Sequence, residues 1–261
     1  PAGTALALLC APGMMRVLGW QGWWGLLGGF SAVMALWVFL QVPPKPKDLN
    51  AMPAATQPPV SDSWWQLLRL TLSSAGPWRI GIAFLLYAGL WLAVIGFLPS
   101  IYAQSGLSGQ MAGTLTALAC LVNITGNIAA GRLLDRGVSA RHLLYVGFVT
   151  MAITAFLAFG QLTSETPTIR YLAVLIFSSV GGIIPGTLFS LAVHVAPSER
   201  TVTTTVGWMQ QCSATGQFLG PPLVAWLASQ TGGWHWTWVA TGIASLIGLL
   251  LARGVSFSKH A

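Results

Sequence analysis

Five stretches of this chain contain no Asp, Glu, Lys or Arg: 17–44, 80–131, 142–164, 171–198 and 201–252. A helix needs about 20 predominantly apolar residues to cross a bilayer. The first, third and fourth stretches have room for one such helix each. The second and fifth have room for two, divided by Gly, Ser and Gln at SIYAQSGLSG and SQTGGW. An apolar segment at 2–15 adds one more. The pattern therefore predicts an all-α polytopic membrane bundle with eight transmembrane helices, at 1–16, 22–42, 78–99, 109–130, 142–161, 170–194, 202–229 and 235–252.

Composition agrees with lipid as the solvent. Of 261 residues, 54% are hydrophobic and 7% are charged, where a soluble domain carries roughly 25% charged residues. The positions of the basic residues test the topology independently. If eight helices cross alternately, Lys45, Lys47, Arg69, Arg79, Arg132, Arg136, Arg141, Arg200, Arg253 and Lys259 fall on one side, and Arg16 and Arg170 on the other. The positive-inside rule makes the rich side cytoplasmic, with the linker and C-terminus inside, and the expected location is the plasma, or inner, membrane. The net charge of +7 is then a topology signal. It forms no basic stripe with interleaved aromatics, so nucleic acid is not an expected partner.

Residues 43–76 are the longest polar interruption. PPKPKDLNAMPAATQPP reads as an extended cytoplasmic linker. SDSWWQLLRLTLSSAG follows, with a cap candidate at Ser61, Asp62 or Ser63 and an apolar side of Trp64, Trp65, Leu67, Leu68 and Leu72. It reads as an interfacial helix on the cytoplasmic surface, or else as the leading turn of the next span. The linker divides the chain into 1–42, with two helices, and 77–261, with six. A weak repeat supports that division. Gly19-Trp20, Trp24 and Gly28 recur as Gly233-Trp234, Trp238 and Gly242, at an offset of 214. Both sets precede a helix that ends at a cytoplasmic segment, so each marks the end of a repeat. If the second repeat has six helices, four more are expected ahead of Pro1, and these preceding helices of the same chain are an expected partner.

The stretch AAGRLLDRGVSARHLL, at 129–144, gathers four charges into one short connector. Gly131-Arg132-Leu133-Leu134-Asp135-Arg136-Gly137 there is similar to the Gly-x-Leu-x-Asp-Arg-x-Gly-Arg-Arg loop signature of the major facilitator superfamily. Gly137 falls one residue early, and Val138-Ser139-Ala140 precede Arg141. Gly216-Gln217-Phe218-Leu219-Gly220-Pro221 approximates a second signature of that family. The chain thus resembles helices five to twelve of a twelve-helix facilitator, with residues 1–42 as the last two helices of the N-terminal half. A narrower resemblance, to the cyanate/nitroimidazole-type subgroup, rests on Phe97-Leu98-Pro99-Ser100-Ile101-Tyr102, Gly106-Leu107-Ser108, Ala112-Gly113 and the run Gly-Gln-Phe-Leu-Gly-Pro-Pro. The resemblance implies a secondary active transporter that moves a small polar or anionic solute by alternating access of two halves.

Under that reading Gly131, Asp135, Arg136, Arg141 and Glu199 form a cytoplasmic gate. Asp135 would accept hydrogen bonds at a neighbouring helix N-terminus, and the arginines would pair with it or with Glu199. The bland alternative is that these charges only set topology, although acidic residues contribute little to orientation. Pro185 and Gly186, with Gly181 and Gly182, and Gly220 with Pro221, are candidate hinges.

No charged residue lies inside a span, so these helices offer no buried carboxylate for proton coupling. His194 sits at the cytoplasmic end of its span. Polar and aromatic groups remain as candidates for binding solute: Tyr87 and Trp91, and Asn123 and Asn127, each pair four apart on one helix face, and Gln210, Gln211, Thr215 and Gln217 in the seventh span. Amides in lipid must face protein or water. Hydrogen bonding between helices is the alternative role for all of them. Cys10, Cys120 and Cys212 lie within spans without metal-like spacing, so neither metal nor cofactor is expected. No catalytic motif is found, and an enzyme is not expected. A non-transporting scaffold or receptor, or an inactive fragment of a transporter, is the rival reading.

Overall fold

The computed structural model describes residues 2–42 and 63–254. Most of the proline-rich linker (43–62) and the C-terminal tail (255–261) lie outside the described residues, and with them Lys45, Lys47 and Lys259. Nine α-helices and no strand are found among the described residues. They are α1 (Ala2–Gln41), α2 (Trp64–Leu72), α3 (Ala75–Gln104), α4 (Gly109–Asp135), α5 (Ala140–Phe159), α6 (Pro167–Gly181), α7 (Ile183–Val195), α8 (Val202–Thr231) and α9 (Thr237–Arg253).

The all-α expectation holds, but the division into eight spans does not transfer directly. Six helical segments among the described residues are long and apolar enough to cross a membrane: α1, α3, α4, α5, α6 with α7, and Trp234–Arg253. The first two expected spans run on without a loop between them, as two helices that meet at a kink at Gly19 (φ 67°, ψ 173°). The reason is local. Between Met15 and Gln21 the chain has a single charge and no polar run to pull it out of helix. The seventh expected span, α8, has the length but is too polar to stand among the six, since Thr203, Thr204, Thr205, Gln210, Gln211, Ser213, Thr215 and Gln217 dilute it.

Turn chemistry fixes where helices stop. At the end of α4, Gly137 takes φ +85°. Its N–H bonds the Leu134 carbonyl at 2.9 Å, and the Val138 N–H bonds the Leu133 carbonyl at 3.0 Å. This is a Schellman cap, in which glycine takes the left-handed position that a Cβ disfavours. The displaced glycine of the loop signature is therefore the residue that ends the helix. Gly106 (φ +83°) ends α3 by the same pair of bonds, to Ala103 and Tyr102. Ser139 then caps α5 by accepting from the His142 N–H.

Small residues let the helices touch, as association in lipid requires close van der Waals packing rather than hydrophobic expulsion. A methyl on Gly216 or Gly220 of α8 would overlap the backbone carbonyls of Leu85 or Gly89 in α3. A methyl on Gly126 of α4 would overlap the Ser179 carbonyl in α6, and one on Gly182 would overlap the Asn123 carbonyl. On the other side of the bundle, α5 lays Phe148 onto Gly248 of α9 and receives Ile184 of α7 at Gly147. Ile80, Leu98, Phe148, Met151, Phe177, Leu188, Leu191 and Met209 fill the centre. The N-terminal part of α1 rests on α4, with Ala5 fully buried and the Leu8 carbonyl against Gly113. Beyond Gly19 no residue of α1 is buried.

The two ends of the bundle differ. At one end, α2 lies beside the 3₁₀ turn Glu199–Thr201. The Ser63 N–H donates to Gln66 Oε1 at 2.9 Å, which starts α2. The Trp78 indole donates to the Leu72 carbonyl at 2.8 Å, which fastens its end. Arg79 donates to the Gly254 carbonyl at 2.6 Å and ties the start of α3 to the end of α9. At the other end, residues 101–107, 164–171 and 233–235 surround a common cavity.

Candidate functional site

The sequence pairs Tyr87/Trp91 and Asn123/Asn127 come together in the middle of the bundle. Asn123 Nδ2 donates to the Tyr87 hydroxyl at 3.0 Å and to the Ser178 carbonyl at 2.7 Å. Asn127 Nδ2 donates to the Asn123 main-chain oxygen and to its Oδ1, both at 3.1 Å. The Trp91 indole donates to Ser178 Oγ at 3.0 Å. Asn123, Tyr87 and Ser178 are buried, Trp91 and Asn127 half-buried. Three helices, α3, α4 and α6, are thus joined by one polar network around Ser178. In apolar surroundings each of these groups would be costly if left alone, and here each has a partner.

The chain breaks helical regularity where this network meets α6. The segment 167–195 interrupts at Gly182, three residues before Pro185. Proline supplies no N–H to the carbonyl four residues back. Gly182 and Gly186 then bring the backbone onto Asn123 and Asn127 of α4, where a Cβ would find no room. Pro221 and Pro222 have a different setting. They lie inside α8, which continues unbroken from Val202 to Thr231, and Gly220 sits against Gly89.

The glutamine cluster stands apart from the network. Gln210, Gln211 and Gln217 are exposed on α8, and Thr215 is half-buried with its hydroxyl donating to the Gln211 carbonyl. Gln217 Nε2 donates to Ser213 Oγ at 3.2 Å. Thr203, Gly207, Gln210, Ala214 and Gln217 follow the helical repeat and give α8 one small and polar exposed face. Thr125 and Ser179 add a second exposed polar contact on α4 and α6, their hydroxyls 2.8 Å apart.

In the turn after α4 and the 3₁₀ turn before α8, Asp135, Arg136 and Glu199 are exposed, and Arg141, at the start of α5, is half-buried. A side chain on Gly131 would meet nothing within 4 Å, so close helix approach falls to Gly126, Gly182 and Gly186 instead.

The sequence model of the Major Facilitator Superfamily matches residues 1–212. The chain belongs to this superfamily. No curated protein matches it.

Members of the superfamily are transporters rather than enzymes, so the bundle is part of an integral membrane transport protein. In this facilitator, sequence reasoning paired the amides correctly by spacing but missed Ser178, which links both pairs. A serine in an apolar helix carries no mark of which turn will cross a neighbour. The signal available was the small-residue run Ser178-Ser179-Val180-Gly181-Gly182, which allows a helix crossing at that level.

Proposed function

We propose that this facilitator moves a small polar or anionic solute by alternating access in the plasma membrane, and that the exposed polar face of α8 belongs to the solute path. The observation that carries this reading is the set Gln210, Gln211 and Gln217, exposed on a helix otherwise set tightly against α3. Exposed amides facing lipid would be left without partners, so such a face belongs against water or another polar surface. The satisfied network around Asn123 is assigned to holding α3, α4 and α6 together. The interruption at Gly182 is assigned to bending during the cycle.

Eight crossings fit the charge alternation best. α1, at 40 residues, is about twice the length one crossing requires, and Gly19 is the place for its two passes to part. The division at the linker supports a preceding half that supplies the facing wall. The cytoplasmic gate of Gly131, Asp135, Arg136, Arg141 and Glu199, and a cyanate-like solute, are further parts of the proposal.

The test is uptake of radiolabelled cyanate and small carboxylates by proteoliposomes of the full-length protein. Gln210→Leu and Gln211→Leu are expected to cut uptake about tenfold while leaving Tm unchanged, because both side chains are exposed. Wild-type uptake of none of these solutes would remove the anion assignment. Unchanged uptake in both variants would remove α8 from the path and favour a scaffold role for its polar face.

A further inference from the structure

We propose that the non-cytoplasmic end of the bundle holds a binding subsite for a small organic anion with an apolar body. The subsite deepens the transport reading above, as a place where solute is held before it reaches the middle of the membrane. Its basis is a cavity of about 810 Å³ between the ends of α3, α5 and α6 and the turn before α9, a size within the range of small-molecule sites.

The wall has two characters. Leu98, Ile101, Leu115, Phe159 and Val174 make an apolar floor, while Tyr102, Gln104, Arg170, Tyr171, Trp234 and His235 bring polar atoms to one cavity. Arg170 carries the fixed charge among the lining residues. Glu165, in the adjoining turn, is exposed and is not part of the wall. A cation in a wall that contains no acid, over an apolar floor, selects a negative charge on a hydrophobic body.

The guanidinium is already positioned. Its Nη2 donates to the Gly160 carbonyl at 2.8 Å and its Nε to Thr163 Oγ1 at 3.4 Å. These bonds brace the turn after α5 and use two of the five N–H groups an arginine offers. The remaining three are donors whose orientation costs a ligand little, which is the advantage of a planar guanidinium over a flexible ammonium. Two further features suit a ligand. The Tyr102 hydroxyl is closed off from solvent and has no hydrogen-bond partner, an uncommon state for a buried polar atom. Its ring packs edge-on to Tyr171 at 6.4 Å between centroids. Gln104 Oε1 accepts from the Trp234 indole at 3.2 Å, so the amide is held with its NH₂ group still to be used.

The experiment is calorimetric titration of the full-length protein in phosphatidylcholine nanodiscs with benzoate, and with benzyl alcohol as the uncharged control. Benzoate is expected to bind and benzyl alcohol not to. Arg170→Lys, which keeps a donor for Gly160, is expected to weaken benzoate about tenfold. Tyr102→Phe, which removes no hydrogen bond seen here, is expected to weaken it about three- to tenfold. Thr168→Trp, at an exposed lining position, is expected to abolish binding by filling the cavity. Equal binding to wild type, Arg170→Lys and Thr168→Trp would overturn the subsite, as would no binding to wild type. Competition by phosphatidylglycerol added to the nanodiscs would assign the cavity to a lipid headgroup and overturn a free solute. Binding is read without transport, so benzoate bound but not taken up would reject the transport assignment alone.

Discussion

Asn123 and Asn127 look alike in sequence, yet the structure gives them unequal work. Asn123 reaches a hydroxyl on α3 and a carbonyl on α6, whereas Asn127 bonds back only to the turn of α4 that precedes it. Interhelical hydrogen bonds within membranes contribute about 0.6 to 2 kcal/mol. Asn123→Ala is therefore expected to lower stability by about 1–2 kcal/mol, with the Tyr87 hydroxyl left without the partner seen here, and Asn127→Ala by less than about 0.5 kcal/mol. Denaturant unfolding in mixed micelles measures both, and equal losses would contradict the assignment of the crossing to Asn123. The spacing of four made each pair legible, because it places two side chains on one helix face whatever the tertiary structure. It carried no information on Ser178, since a crossing partner depends on how two helices rotate toward each other. The same holds for Gly131 and Gly126. Both are glycines of α4, and only the packing shows that Gly126 is the one pressed against α6.

At the scale of the element, the interrupted helix 167–195 and the uninterrupted α8 show why proline is an incomplete signal. Pro185 accompanies a break at Gly182, because two glycines beside it let the backbone settle against α4. Pro221 and Pro222 bring no break, because Gly220 pins α8 to Gly89 and the helix continues to Thr231. If the break serves the transport cycle, Pro185→Ala restores an N–H for the Gly181 carbonyl, and it is expected to raise Tm while slowing uptake. A rise in both would show the break to be a structural cost without a role. Helix contact makes a second prediction. Gly220→Val would push a branched side chain into the Gly89 backbone, and it is expected to lower the yield of folded protein sharply, while Gly207→Val, with open space around it, is expected to leave it unchanged. Monodisperse yield on size-exclusion chromatography reads the difference. Helix existence was legible from apolar runs. The absence of a loop at 15–21 was not, because Gly19 and a lone arginine resemble a connector, and only the backbone shows two helices meeting there at a kink.

For the whole molecule, the charge alternation and the structure speak to the same axis. Residues the basic pattern places inside, Arg79 among them, meet at the end where α2, Glu199–Thr201 and Gly254 lie together. The segments it places outside, 101–107, 164–171 and 233–235, meet at the opposite end around one cavity. Arg170 belongs to this second group, and a topology rule that counts it only as a stray positive charge hides the cavity it lines. Labelling of single cysteines in intact cells decides the arrangement. In a background without Cys10, Cys120 and Cys212, a membrane-impermeant maleimide applied from outside is expected to label Gly109→Cys and Thr166→Cys. It is expected to reach Val138→Cys and Pro197→Cys only after permeabilisation. Gln21→Cys is the decisive position. Labelling from outside means that α1 turns back at Gly19 and that the chain crosses eight times. Protection of Gln21→Cys, with the other four as expected, means that α1 does not return there, and the alternation before the linker must then be redrawn with one crossing fewer.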